Sequence, residues 1–281
     1  MSNLLIHSMS EFSEIIVEAM ALAGVREIAE IGAEYGGMSS VLADFAAAER
    51  GRLTSIDPCP KAEFIQWAAV HPGVRHINRP SLEAFDLLGG IDAWVIDGDH
   101  NWYTVYNELK AIDGLCRRDG KPLLAFLHDV SWPCARRDQY YAPDQIPAAF
   151  RHPYSYDHGI APGHPGLVGP GRGFRGMGSF AFAAHEGGPC NGVLTAVEDF
   201  ADDVRGEGRG IAFAHIPAVF GLGILFSTEA DWAPALSELI IPWHENRLME
   251  RLEENRLRNY LAVIDWQDRE AERLSHQRDA A

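Results

Sequence analysis

Apolar positions near the start of the chain recur at helical spacing. Phe12, Ile15, Ile16, Ala19 and Met20 share one face, behind Ser8 and Glu11 at capping-box separation. The pattern then changes to short, nearly continuous apolar runs separated by helical segments. The runs at 27–31, 52–57, 74–78, 91–97 and 121–129 predict strands. The segments at 39–48, 61–70 and 105–116 predict helices, with a short helix after Pro80. The fourth run, "IDAWVID", has almost no polar alternation, as a strand covered on both faces requires. Five strands alternating with helices predict an α/β fold, a doubly wound, mostly parallel sheet with helices on both faces.

From 130 to 178 the regular pattern stops. The segment is rich in Pro, Gly, Tyr, His and Arg and is too long for an ordinary connection. Trp132, Tyr140, Tyr141, Phe150, Tyr154, Tyr156 and Phe174 give it a face to bury, so it is expected to be a lid. Pattern resumes with "SFAFAA" (179–184), a helix at 191–204 and two late strands, "IAFAHIP" and "LGILFS", suited to a hairpin. Beyond Trp232 the chain reads as helical, divided by Pro242. Leu248, Leu252, Leu257, Leu261 and Ile264 form one narrow apolar stripe there. A helix that long outreaches its own domain, so a second copy is expected to cover the stripe, in a homodimer or higher even oligomer. No repeat or linker divides the chain, which predicts a single domain over 1–281 with the lid at 130–178 and C-terminal helices at 232–278.

The first strand runs into a glycine turn, "EIGAEYGG". A dinucleotide fingerprint needs glycine where this turn has Glu34, because the backbone there approaches a pyrophosphate. No Gly-Lys-Ser/Thr follows, which excludes a P-loop. The turn therefore suits a ligand without phosphates. S-adenosylmethionine fits: Gly32, Glu34, Gly36 and Gly37 would receive it, Glu30 its ammonium group, and Asp57, ending the second strand, both ribose hydroxyls.

"EIGAEYGGMSSVLA" resembles motif I of class I S-adenosylmethionine-dependent methyltransferases, and "SIDPCP" their acidic ribose-binding motif. "VIDGDHNWYTVYNEL" followed by "LLAFLHDV" is similar to the branch holding macrocin-type sugar O-methyltransferases and cephalosporin-hydroxylase-like proteins. The resemblance spans about residues 25–130 and implies a Rossmann-like fold. In metal-dependent relatives a carboxylate ending the fourth strand and a pair ending the fifth hold a divalent cation. The matching positions are Asp97, also expected beside the cofactor, and His128 with Asp129. One histidine with two carboxylates departs from the common all-oxygen pattern and suits Mn, Fe, Co or Zn better than Mg. His100 stands three residues after Asp97, where catechol-type relatives carry a lysine base, and is expected to take the proton of a hydroxyl nucleophile. Asp99 is expected to cap the next helix, and Trp102 and Tyr103 to cover adenine or substrate.

Charge narrows the ligand class. The net charge of -16 repels phosphate backbones and anionic lipid, so a small molecule is expected rather than nucleic acid or a membrane surface. The cations at Arg136, Arg137, Arg172 and Arg175 suit either an anionic substrate group or local ion pairs. The four cysteines form no CxxC and are expected to be reduced structural thiols, although Cys59 and Cys134 lie beside prolines near the expected site. "MSNLLIHSMSEF" lacks the features of a signal peptide and no apolar window is long enough to span a bilayer, which predicts a cytoplasmic protein. The reading is an O-methyltransferase for a small polar metabolite, with secondary-metabolite sugars suggested by the branch. N- or C-methylation, a non-haem metal hydroxylase on the same fold and a non-catalytic adenosyl-binding protein remain open alternatives.

Overall fold

The computed structural model describes residues 8–279; most of the N-terminal stretch read for a leader lies outside them. Seven strands form the main sheet: β1 (Glu27–Ile31), β2 (Arg52–Ile56), β3 (Val74–Ile77), β4 (Ala93–Ile96), β5 (Leu124–His128), β9 (Ile211–Ile216) and β10 (Leu222–Ser227). Their order is β3-β2-β1-β4-β5-β10-β9. The first five pair in parallel, and the late hairpin adds antiparallel to β5. The order reverses between β1 and β4, so the carboxyl ends of these two strands flank the crevice where open α/β sheets take ligands.

Both faces of the sheet are covered. α1 (Ser13–Leu22), α2 (Gly37–Ala48) and α6 (Ala233–Ile240) lie on one side, α4 (Trp102–Asp119) and α5 (Val193–Gly206) on the other. Strand alternation divides the core accordingly. Ala93 and Val95 of β4 face Ile16, Leu42 and Leu236, whereas Trp94 and Ile96 face Leu109, Val197 and Phe200. Every residue of β4 and β5 is buried, which explains their unbroken apolar runs. α3 (Ala62–Ala69) covers the β2–β3 edge, and two short 3-10 turns follow Pro80.

The 130–178 segment is less loose than a bare lid. Together with the residues that follow, it builds a second sheet, ordered β6 (Gln139–Tyr140), β8 (Ala181–Ala183), β7 (Tyr154–Ser155). Asp138 anchors it, accepting hydrogen bonds from the amides of Trp102 (2.8 Å) and Gly192 (2.7 Å) and from the Tyr140 hydroxyl (2.8 Å). Buried Arg137 donates to the carbonyls of Ala183 at 2.6 Å and Pro165 at 2.8 Å. α7 (Arg247–Asp279) follows α6 and lies back along the insertion, tied by Arg175–Asp268 (2.7 Å) and Arg172–Glu272 (2.7 Å). The expected stripe therefore splits. Leu257 and Leu261 pack on Val219 and Phe220, while Leu248 and Leu252 are exposed. Among the described residues no helix is long and apolar enough to cross a membrane.

Candidate active site

The glycine turn leaves β1 with its backbone in the left-handed region at Gly32 (φ 90°), Glu34 (φ 45°) and Gly36 (φ 86°). A Cβ at Gly32 would stand 2.1 Å from the carbonyl oxygen of Asp97, so only glycine lets the turn lie against the end of β4. Gly36 precedes α2, which opens at Gly37 with no side-chain cap, leaving its first amides for a ligand. The Glu34 side chain is exposed, and its amide is held by Asp57.

Asp57 has a structural task that the sequence did not reveal. Its carboxylate accepts from the amides of Ala33 (2.9 Å), Glu34 (3.0 Å) and Cys59 (2.7 Å), fixing the turn against the end of β2. Glu30 is buried and accepts from the hydroxyls of Ser39 and Ser55, each at 2.7 Å, while its Oε1 has no partner. Burial pushes its pKa up to about 7 against those hydrogen bonds, with nearby Asp97 and Asp57 adding to the rise. The unpartnered oxygen is what an ammonium group would satisfy.

Beside the turn, four polar side chains converge. His128 Nδ1 lies 3.0 Å from Asp129 Oδ2 and 3.2 Å from Asp97 Oδ1. His100 Nε2 lies 3.3 Å from Asp129 Oδ2 and 3.6 Å from Asp97 Oδ1. Alternation along β5 aims His128 away from Leu127, between Phe12 and Phe220, whose ring stacks on it with centroids 5.8 Å apart. Asp129 follows with φ 62°, a left-handed backbone rare outside glycine and associated with functional sites. Burial alone would lower both histidines, but the carboxylates prevail and lift His100 to about 9 and His128 to about 10. Asp97 shows the reverse balance: burial raises its carboxyl, and the two histidines hold it well below the usual range.

These shifts bear on His100 as a base. The carboxylates raise its imidazole to about 9, which favours the charged form, and a divalent cation that displaced its proton would free it to accept one. The donor set also fits such an ion directly. The ligand atoms of Asp97, His128 and Asp129 lie within 4.8 Å of one another, and Asp129 Oδ1 and His100 Nε2 are buried without a hydrogen-bond partner.

Other expectations fall elsewhere. Asn101, not Asp99, caps α4, through Thr104 N at 2.9 Å; Asp99 accepts from the Thr104 hydroxyl at 3.1 Å. Trp102 does not face the crevice: its indole stacks on Tyr106 and donates to Asp199 of α5 at 2.7 Å. Tyr103 packs on Phe150. The four arginines are given to ion pairs or backbone carbonyls, Arg136 with Glu198 among them. Sequence reasoning missed Gln139, whose amide meets His100 Nδ1 at 3.2 Å, and gave Tyr141, whose ring lies 5.7 Å from that of His100, only as one of the lid aromatics. Neither sits in any periodic pattern.

Residues 29–130 match the family model described as a methyltransferase domain. That stretch of the chain matches a methyltransferase domain. The resemblance to class I S-adenosylmethionine-dependent methyltransferases therefore holds over the stretch containing the glycine turn, Asp57, Asp97 and the His128–Asp129 pair. Among solved structures, cofactor-bound Rv0187 from MTB is 17% identical, with 81% of this chain and 84% of that chain covered and a TM-score of 0.45. The O-methyltransferase TomG from Streptomyces achromogenes, involved in tomaymycin synthesis and solved with SAM, is 16% identical over 81% and 83% of the two chains, with a TM-score of 0.45. SAH-bound methyltransferase PaMTH1 from Podospora anserina is 14% identical over 76% of each chain, with a TM-score of 0.44. No curated protein matches the chain. The match ends just past the His128–Asp129 pair, and the insertion residues Gln139 and Tyr141, which contact His100, lie beyond it.

Proposed function

We propose that the chain is a cytoplasmic S-adenosylmethionine-dependent O-methyltransferase for a small polar metabolite, possessing a divalent cation site at Asp97, His128 and Asp129. A sugar of secondary metabolism is the acceptor that the sequence resemblance favours. One observation carries the reading: two carboxylates and two imidazoles meet at the ends of β4 and β5, directly beside a glycine turn built against Asp97. Glu30 takes the cofactor ammonium, the open N-terminus of α2 its carboxylate, and Asp57 its ribose while bracing the turn. When bound, the cation supplies Lewis acidity that lowers the pKa of an acceptor hydroxyl. Phe12, Phe220 and Tyr141 wall the site against water, and Gln139 holds the His100 ring in place. The four free thiols suit a reducing compartment.

A second reading has its own observation. Asp97, His128 and Asp129, whose ligand atoms lie within 4.8 Å of one another, would also hold iron in a facial set with open positions, as in non-haem iron oxygenases. Product mass separates the two. Incubation with S-adenosylmethionine, a panel of hydroxylated metabolites and added divalent metal is expected to add a methyl group to one product. Chelation is expected to abolish that gain. An added oxygen that requires dioxygen would favour the second reading, and methylation untouched by excess chelator would remove the metal.

The assembly proposed is a homodimer through α7. Leu248, Leu252, Val263 and Trp266 are all exposed, two pairs at three- to four-residue spacing and the pairs close to three whole turns apart, which keeps all four on one side of the helix.

A further inference from the structure

Cys134 stands just beyond β5, fully buried and free of any disulfide. Its sulfur, an imidazole nitrogen of His100 and a carboxylate oxygen of Asp129 lie within 4.8 Å of one another. Two polar atoms of this group are unspent: Asp129 Oδ1 and His100 Nε2 are buried with no hydrogen-bond partner. Asp129 is 2% exposed and held in a left-handed backbone conformation, so its carboxylate is enclosed by protein rather than by water. A cysteine present only to fill space has no need of such neighbours.

Gln139 adds an independent observation. Its buried amide touches both nitrogen and sulfur donors, 3.2 Å from His100 Nδ1 and 3.7 Å from Cys134 Sγ, and its backbone amide donates to the His100 carbonyl at 2.9 Å. In the orientation seen, the NH2 end faces Nδ1 and the oxygen accepts from the thiol. The amide can equally be reversed, since its two ends differ only in hydrogen-bonding role. Reversed, its oxygen accepts from Nδ1–H, which leaves the Nε2 lone pair for a cation, and its NH2 donates to a thiolate. One side chain thus serves both the empty and the loaded state, as partners behind a metal-bound histidine do.

We infer that His100, Asp129 and Cys134 form a thiolate-containing metal position, selective for a zinc-type divalent cation and adjoining the Asp97–His128 pair through the shared Asp129. The inference rests on the reading that these strand ends hold a divalent ion, and it names the kind of ion they select. Binding releases the Cys134 proton to solvent, and the resulting thiolate favours Zn, Co or Fe over Mg. Gln139 is a positioning residue for both ligands.

The test uses the full chain, stripped of metal and loaded with one equivalent of cobalt(II) or zinc(II). Cobalt is expected to give a near-ultraviolet thiolate charge-transfer band that Cys134→Ser abolishes and excess magnesium leaves unchanged. Zinc K-edge absorption on the unmodified protein is expected to find one sulfur at about 2.3 Å, a readout that does not depend on the variant folding. Zinc affinity is expected to fall at least tenfold in Cys134→Ser, and Gln139→Ala is expected to weaken zinc binding while keeping the sulfur in the shell. A zinc ion bound by nitrogen and oxygen alone, or a Cys134→Ser protein with unchanged affinity, would overturn the inference and leave the Asp97–His128–Asp129 site standing. A wild-type chain that takes up no metal would overturn both metal sites, and S-adenosylhomocysteine titration of the same sample reads the adenosyl site separately.

Discussion

Replacing Gly32 with alanine perturbs the contact on which the site is built. The added Cβ would stand 2.1 Å from the Asp97 carbonyl oxygen, 2.5 Å from its carbon and 2.8 Å from the Gly98 Cα, all of them backbone atoms. Ordinary contact begins near 3.4 Å, so the turn and the end of β4 must separate by 3.4 minus 2.1, or 1.3 Å. That shift breaks the Asp97 N–H bond to the Ile31 carbonyl, 2.8 Å long, and pulls the Asp97 carboxylate off His128. A φ of 90° for alanine adds strain. Strain of about 1–3 kcal/mol and a lost buried hydrogen bond of about 1 kcal/mol bring the total to roughly 3 kcal/mol. In a chain of this size that lowers Tm by roughly 5 °C. Gly24→Ala is the control, because Gly24 has φ 65° and nothing within 4 Å of its missing Cβ; it loses only about 1–2 kcal/mol of conformational energy. Thermal unfolding by circular dichroism and S-adenosylhomocysteine calorimetry on both variants give the comparison. Gly32→Ala should lose ligand binding and Gly24→Ala should keep it. Equal Tm values with intact binding in both would refute the close approach of turn and strand.

Glu108 offers a pH test. It is buried, takes a hydrogen bond from the Ser81 hydroxyl and leaves Oε2 unpartnered, and burial pushes its carboxyl up to about 8. The folded state therefore holds a proton that the unfolded chain releases near its ordinary value of 4.5, so stability falls as pH rises from 4.5 to about 8. Glu108→Gln should remove that group's share of the slope, at most about 1.4 kcal/mol per pH unit; denaturant midpoints that run parallel for both proteins across this window would refute the assignment. Light scattering at tens of micromolar protein should report twice the mass of one chain, with Leu252→Glu plus Trp266→Glu returning it to a monomer. A monomeric wild type would leave the exposed side of α7 without a second copy.

The parts legible in the sequence were those fixed by local pattern. Residues 93–96 read as a strand because both neighbours bury them, and the acids at the ends of β2, β4 and β5 followed from where each apolar run stopped. Long-range packing was not legible. The strand order and the antiparallel addition of β10 beside β5 arise from contacts between segments nearly a hundred residues apart. Trp102 has the same chemistry whether it covers a ligand or stacks on Tyr106; only the placement of α5 and Asp199 decides. Asp57 was read as a ligand acceptor, and its hold on the turn depends on amides that point at it only after folding. His100 was read with an ordinary pKa, which two carboxylates from separate strands then raised to about 9. Gln139 gave no signal, since an isolated glutamine in an aperiodic segment is indistinguishable from a surface residue until the insertion folds back on α4.

Calorimetric titration of the full chain with S-adenosylhomocysteine, with NAD in parallel, tests the adenosyl site most directly. The expected result is binding of roughly micromolar Kd, a free energy of about -8 kcal/mol, to the adenosyl ligand alone. Asp57→Ala should weaken it at least tenfold by removing both the ribose acceptor and the brace on Ala33 and Glu34. Binding of NAD with no heat from the adenosyl ligand would contradict the reading of the glycine turn and of everything placed around it.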